Sequence, residues 1–246
     1  MIVRPDGNGG LLLITQPDHA ALASRIIAAW PASAFTPTSA REAVLYAVAE
    51  HDNGWLEVEQ APVLDRGTGR PYDFMTVPLD FKQAIWPRGV ARLAAIDPLA
   101  AALVAEHGLR VHAHRRDEPD WRAFFARVER LRDELLARCG ALSGSAHDAF
   151  TRNYRLLFLG DLLSLVFCNQ WTEPSESHGY RAVFRDGGVL VSPDPFGGRE
   201  IALEIGARRI PDRRYASQAD LVAAWEAAET VTIVGRARGK MTSEVI

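Results

Sequence analysis

Two hydrophobic rhythms divide this chain. Up to about residue 170 apolar positions recur every three or four residues, the period of a helix that buries one face, and after Trp171 they alternate, the period of a strand. In TQPDHAALASRIIAAW, Thr15 and Asp18 mark a helix start with Pro17 in its first turn. The stripe Leu22, Ala23, Ile26 and Trp30 runs back onto His19. In SAREAVLYAVAEHDNGW, Ser39 with Glu42 has the form of a capping box, so a helix is expected to begin near Ala40. Val44, Ala47 and Val48 carry its apolar stripe onto His51 and Asp52, where the helix runs into a glycine turn. Further helices are expected over about Phe81 to Ala95, Leu99 to His107, Pro119 to Cys139 and Ala146 to Cys168.

LLLIT, near the start, reads as a short strand that could join a later sheet. That sheet is predicted from RAVFR, GVLVS, REIALEIGARRI and TVTIVGRAR, with Gly187-Gly188 as a hairpin turn and a helix from Ser217 to Ala228. The Gly-, Pro- and Asp-rich stretch from Asn53 to Pro78 is long for a structureless connection, which makes it either functional or packed around its aromatics. The pattern therefore predicts a mainly α protein. Residues 1–170 form a helical domain, and residues 171–246 a small C-terminal sheet packed on it rather than an independent unit. The tail GKMTSEVI is expected to be disordered.

Composition narrows the classes. The 246 residues can bury a sizeable core. With 28 basic and 31 acidic residues nearly cancelling, nothing points to a partner such as nucleic acid or an acidic membrane. Cys139 and Cys168 lack CxxC spacing, so neither a thiolate zinc site nor a disulfide framework is indicated, and a reducing cytoplasm fits best. MIVRPDGNGG lacks the regions of a signal peptide, and no apolar run is long enough to span a bilayer. The absence of GxSxG, a Walker loop, GxGxxG after a strand and HExxH removes the commonest serine-hydrolase, nucleotide-cradle and zincin readings.

Three helices each carry an ionisable residue on the side that should be buried. To His19 and the His51-Asp52 pair, RNYRLLFLGDLLSLVFC adds Asp161, on a face with Leu157, Ser164, Leu165 and Cys168. An unpaired buried carboxylate is costly, so such an aspartate is neutralised by a partner or a cation. The plainer alternatives are a hydrogen-bonded core histidine at 19 and an ion pair of Asp161 with Arg152 or Arg155. His107 ends the stripe Leu99, Ala100, Leu103, Val104, and is either part of the cluster or a terminal histidine bonding the last carbonyls before Gly108. His112 and His114 would share a strand face among Arg110, Arg115 and Arg116, by default a solvated loop. The arginines at 208, 209, 213 and 214, mixed with Glu200, Glu204, Asp212 and Asp220, read as a neutral solvated surface, and Asp148 of His147-Asp148 as a charge favouring a helix start.

The order His, His-Asp, Asp on successive helices resembles the HD-domain superfamily of metal-dependent phosphohydrolases. TQPDHAALA, HDNGW, RGTGRPYDF and NYRLLFLGDLLSLVFC are also similar to an uncharacterised bacterial family of the DUF3891 type, a likeness running from about Leu11 to the end. The resemblance implies an HD-domain-like helical bundle in which His19, His51, Asp52 and Asp161 are the ligand set, with His107 joining where a second metal is bound. One or two divalent transition ions follow, and the mixed nitrogen and oxygen donors suit Mn, Fe, Co or Zn. The chemistry implied is hydrolysis of a small phosphorylated substrate, with Asp52 catalytic, substrate contacts expected from Glu57, Arg70, Lys82 and Arg155, and the loop from Trp55 to Phe74 as cover. Two rivals stand beside it, a di-iron oxygenase and a non-enzymatic metal- or ligand-sensing module. Homo-oligomerisation is left open.

Overall fold

Leu11 to Ile14 of the segment read as LLLIT are all buried, because the strand is covered on both faces. The computed structural model describes residues 1–240; residues 241–246, most of the tail GKMTSEVI, lie outside the described residues. The segment is strand β2 (Gly10–Ile14), which pairs antiparallel with β1 (Ile2–Pro5). The connection is tightened by Asp6, whose side chain accepts from the backbone of Asn8 and Gly10 at 2.7 and 2.8 Å. After the helices come β5 (Ser175–Ser177), β6 (Tyr180–Arg185), β7 (Gly188–Ser192), β8 (Glu200–Pro211) and β9 (Glu229–Gly239). The sheet order is β1-β2-β8-β9-β7-β6-β5, antiparallel throughout except for the parallel β7–β9 pair.

This corrects the expectation of a mainly α protein, an HD-domain-like helical bundle with a small C-terminal sheet. The sheet has seven strands and takes its first two from the other end of the chain. Its β8 and β9, of 12 and 11 residues, pair from Glu200–Arg238 to Arg209–Glu229. β1 is too short to display a period, and β2, apolar on both sides, shows no alternation to reveal its place in a sheet. The β6–β7 hairpin turns through Asp186-Gly187, whose φ values are 51° and 73°, and Gly188 already belongs to β7.

Period two sorts β2 between two cores. Leu12 and Ile14 join the main core with helix α1 (Gln16–Ala28) and helix α6 (Gly144–Asn169). Leu11 and Leu13 face a second cluster with Met1, Ile210, Tyr215, Leu221 and Trp225, the last two from α7 (Gln218–Glu226). Helices thus cover the sheet on both sides.

The helical half also comprises α2 (Arg41–Ala49), α3 (Leu79–Ala94), α4 (Pro98–Val111) and α5 (Arg122–Arg138). Thr15 caps α1, accepting from the Asp18 backbone at 3.2 Å, with Pro17 in the first turn as its sequence predicts. The Ser39–Glu42 box does not form. Residues Thr38–Ala40 already make a 3-10 turn leading into α2, so Ser39 lacks the extended backbone of a capping residue. α4 is buried continuously from Ala100 to Leu109, packed by α2, α3, α5 and α6, and it runs one turn beyond His107. His107 is therefore not a terminal histidine. The 53–78 stretch holds a small hairpin, β3 (Leu64–Asp65) with β4 (Arg70–Pro71), and packs through buried Trp55. Among the described residues no helix is long and apolar enough to cross a membrane.

Candidate metal centre

α6 crosses α1 and α2 at Gly160, where a β-carbon would lie 2.8 Å from Ile27 Cγ1 and 3.0 Å from Val48 Cγ1. No larger residue permits this approach without displacing a neighbour. The next residue, Asp161, is thereby set among the histidines: His19 in the second turn of α1 and His51 just past the end of α2. The turn that follows is tied to α3, with Arg92 donating to Asn53 Oδ1 at 2.9 Å and Arg88 to the Gly54 carbonyl at 3.1 Å. This is what HDNGW accomplishes locally. It ends α2 and fixes the His-Asp pair against a second helix.

One donor atom from each of His19, His51 and Asp161 lies within 4.8 Å of the others, close enough for all three to hold one metal ion. His19 Nε2 is 3.0 Å from Asp52 Oδ2 and 3.5 Å from Asp161 Oδ1, and His51 Nε2 is 3.4 and 3.5 Å from the same two oxygens. The other Asp161 oxygen, Oδ2, lies 3.4 Å from His107 Nε2. All three histidines are 1–2% exposed. Asp161 makes no ion pair with Arg152 or Arg155; its charged neighbours are the imidazoles.

Hydrogen bonds outside the cluster aim the imidazoles into it. His51 Nδ1 lies 2.7 Å from the Val48 carbonyl, which can only accept, so Nδ1 carries hydrogen and Nε2 faces the carboxylates. The Ser164 hydroxyl donates to the His19 carbonyl, so its oxygen accepts from His19 Nδ1 and leaves Nε2 directed inward. This outward anchoring is how metal-bound histidines are oriented. His51 Nε2 is buried without a hydrogen-bond partner, the carboxylates standing off at charge-pairing rather than bonding distance. An ion held here would give this nitrogen the partner it lacks. The donor set could hold a metal ion.

Burial opposes a charge on His51, but the facing Asp52 and Asp161 carboxylates outweigh it and raise the imidazole pKa to about 9. Burial likewise pushes Asp161 upward, and His107 and His51 reverse this, holding it far below the usual carboxylate range. For Asp52 burial is again outweighed, here by the His51 charge and the His19 hydrogen bond, and its pKa is lowered. A proton on His51 would occupy the imidazole face that the cluster offers an ion, between ionised carboxylates.

A cavity of about 410 Å³ reaches this cluster at His19, Asp52, His107 and Asp161. Trp55, Phe74, Ile85, Trp86, Val111 and Leu165 form its apolar walls; Gln16, Met75, Lys82, His112, His114 and Arg115 complete the lining. Trp86 lies against α4 only because residue 108 is glycine: a β-carbon there would sit 2.8 Å from the indole. The indole is 5.6 Å from the His107 ring and donates to His112 Nε2 at 3.1 Å. His112 packs 4.5 Å from Trp121; burial and the nearby Lys82 charge depress its pKa to about 3, so it remains a neutral acceptor. The strand-face reading of His112 and His114, and the solvated-loop reading of His112, are corrected here. His112 precedes a 3-10 turn (Ala113–Arg115) and is half-buried on the cavity wall, whereas His114, within the turn, is exposed as the solvated-loop reading expects.

The four expected substrate contacts separate. Lys82 lines the cavity, donating Nζ to the Met75 carbonyl at 2.6 Å. Glu57 does not; it ion-pairs with Arg92 and, at 3.5 Å, with Arg88, half exposed on the far side of the turn. Arg70 pairs with Asp212 at 2.6 Å on the small hairpin. Arg155 is exposed, because six residues place it about two-thirds of a turn around α6 from Asp161. Sequence reasoning missed Gln16, Trp86 and Arg115. The one available signal was the Lys82–Trp86 spacing, which puts both on one helical face. The basic residues at 208, 209 and 213 pair with local acids or carbonyls, as a solvated surface predicts.

Fold and site together define an α+β protein built around a histidine–aspartate cluster able to hold a metal ion. The family model described as "Protein of unknown function (DUF3891)" matches residues 1–212, and the chain belongs to that family. No curated protein and no solved structure matches it.

Proposed function

We propose that this protein is a metal-dependent hydrolase of a small phosphorylated substrate. The observation that carries the reading is the unpartnered, inward-facing Nε2 of His51, grouped with His19 and Asp161, the latter two lining a cavity open to a small molecule. The order His19, His51-Asp52, Asp161 is that of HD-domain phosphohydrolases and supports the same chemistry. His19, His51, Asp52 and Asp161 would hold the ion, and their mixed donors suit Mn, Fe, Co or Zn. When bound, such an ion supplies Lewis acidity and lowers the pKa of water. The residues do the rest. Ionised Asp52 accepts the proton lost by the attacking water, Lys82 adds positive charge at the outer rim of the cavity, and the apolar walls exclude solvent. A water oxygen bonds to phosphorus, the ester P–O bond breaks, and the alcohol leaves with a proton.

A second reading has one observation in its favour. His107 faces the outer oxygen of Asp161, so these two residues would hold a second ion, and two irons there would make oxygen chemistry the better account. The test is metal analysis of purified protein followed by a screen of phosphomonoesters and nucleotides with each ion, beside Asp52→Ala. Metal-dependent turnover lost in the variant supports the hydrolase. Turnover equal in both proteins, or none from a fully loaded site, overturns it, and two irons with an oxygen-sensitive spectrum select the alternative.

A further inference from the structure

The cavity has a second charged end. α3 and α4 run antiparallel along one wall: Trp86 of α3 meets His107, Gly108 and His112 of α4. Lys82 lies one turn before Trp86 on the same face of α3, and past the end of α4 the 3-10 turn brings His114 and Arg115 to the same outer rim. Three layers result: the aspartates and histidines at the base, then Trp86, Val111 and Ile85, then Lys82, His114 and Arg115. At about 5.4 Å per helical turn the cationic layer stands on the order of 10 Å from His107. A single phosphate is too small to touch both ends.

We infer that the natural ligand of this site is anionic at both ends, with its phosphoryl group at the histidine–aspartate cluster and a carboxylate or second phosphate held by Lys82, Arg115 and His114. The inference rests on the phosphohydrolase reading and deepens it. Lys82 has no ion pair within contact distance among the described residues; its ammonium donates to the Met75 carbonyl, and the Asp73 carboxylate acts on it only through space. Arg115 pairs with Glu118 at 3.0 Å, in a partly exposed contact that leaves guanidinium donors for an incoming anion. Two neighbouring cations on a half-buried rim repel each other: after burial, Arg115 is the next cause lowering the Lys82 pKa, and an anion between them relieves both effects. Between the charged ends the wall is mainly Trp86, Val111 and Ile85, with the neutral His112 already bonded to the indole, which suits a ligand with a short carbon chain or ring as its middle. A volume of about 410 Å³ admits such a molecule and excludes a polymer.

The test uses the full chain loaded with manganese, its stoichiometry measured, and non-hydrolysable alkylphosphonates of three to six carbons ending in methyl, carboxylate or a second phosphonate. Titration calorimetry is expected to show the anion-ended chains binding about tenfold or more tightly than methyl-ended chains of equal length, the worth of one charge-assisted contact. The preferred terminus tells carboxylate from phosphate. In Lys82→Ala and Arg115→Ala the ratio is expected to collapse toward one, and in Lys82→Arg to persist. Equal affinity for all termini, or an undiminished ratio in both alanine variants, overturns the two-ended ligand while leaving the phosphohydrolase reading intact. Failure of every phosphonate to bind the loaded protein overturns both.

Discussion

Ser164 holds His19 at two points: its oxygen is 2.8 Å from the ring Nδ1, and its hydroxyl donates to the His19 carbonyl at 2.8 Å. One side chain of α6 therefore fixes both the rotamer and the tautomer of a histidine on α1. Ser164→Ala removes the acceptor and leaves a buried N–H unpaired. Metal affinity is expected to fall roughly 10- to 100-fold, with about 1–3 kcal/mol of stability lost. Competition titration against a metal-binding dye and denaturant unfolding measure the two effects; unchanged affinity would exclude the orienting role.

His51→Ala and Asp52→Ala separate ligation from packing. If these side chains hold an ion, metal content collapses in both variants while circular dichroism retains the native spectrum, since the cores on either side of the sheet are untouched. Full metal content in both proteins would remove the pair from the ligand set.

Gly160→Ala asks how closely the helices must approach. The added methyl meets Ile27 and Val48 at 2.8 and 3.0 Å, so α6 moves outward and carries Asp161 with it. A destabilisation of about 1–3 kcal/mol is expected together with weakened metal binding. An ordinary melting temperature with normal metal content would show that the contact is slack.

The raised pKa of His51 makes the metal-free protein pH-dependent. A group whose pKa rises on folding stabilises the fold fully below its unfolded value, here 6.5, and loses that contribution as pH climbs through about 9. Stability in the presence of a chelator should therefore fall over that window by at most about 3 kcal/mol. The depressed Asp161 and Asp52 act in the opposite sense, their contribution being lost only in acid. Metal displaces the His51 proton, so loaded protein should show a flatter profile and should release protons on binding below about pH 9. Unfolding midpoints at pH 6 and 9.5, with and without manganese, check the slopes; identical slopes would contradict the competition.

The long helices and the gathering of His19, His51 and Asp161 were legible because period 3.6 puts a polar residue visibly out of place on an apolar face. The sheet was not. β2 is covered on both sides and shows no alternation, and its partner β8 lies at the other end of the chain, a pairing that no local pattern encodes. The substrate side failed for a related reason. Glu57 and Arg155 carry the right chemistry on the wrong side of a turn or helix, whereas Trp86 and Arg115 reach the cavity through the packing of α3 on α4, for which Gly108 is the permissive residue.

The pairing of β2 with β8 also sets an order of events. During synthesis Leu11, Leu12 and Leu13 precede the strand that will flank them by all six helices of the helical half. During that interval an apolar edge has no permanent neighbour, the condition under which nascent chains associate wrongly or recruit holding chaperones. The helices can begin to gather early, but the sheet that ties the two ends of the molecule together closes last.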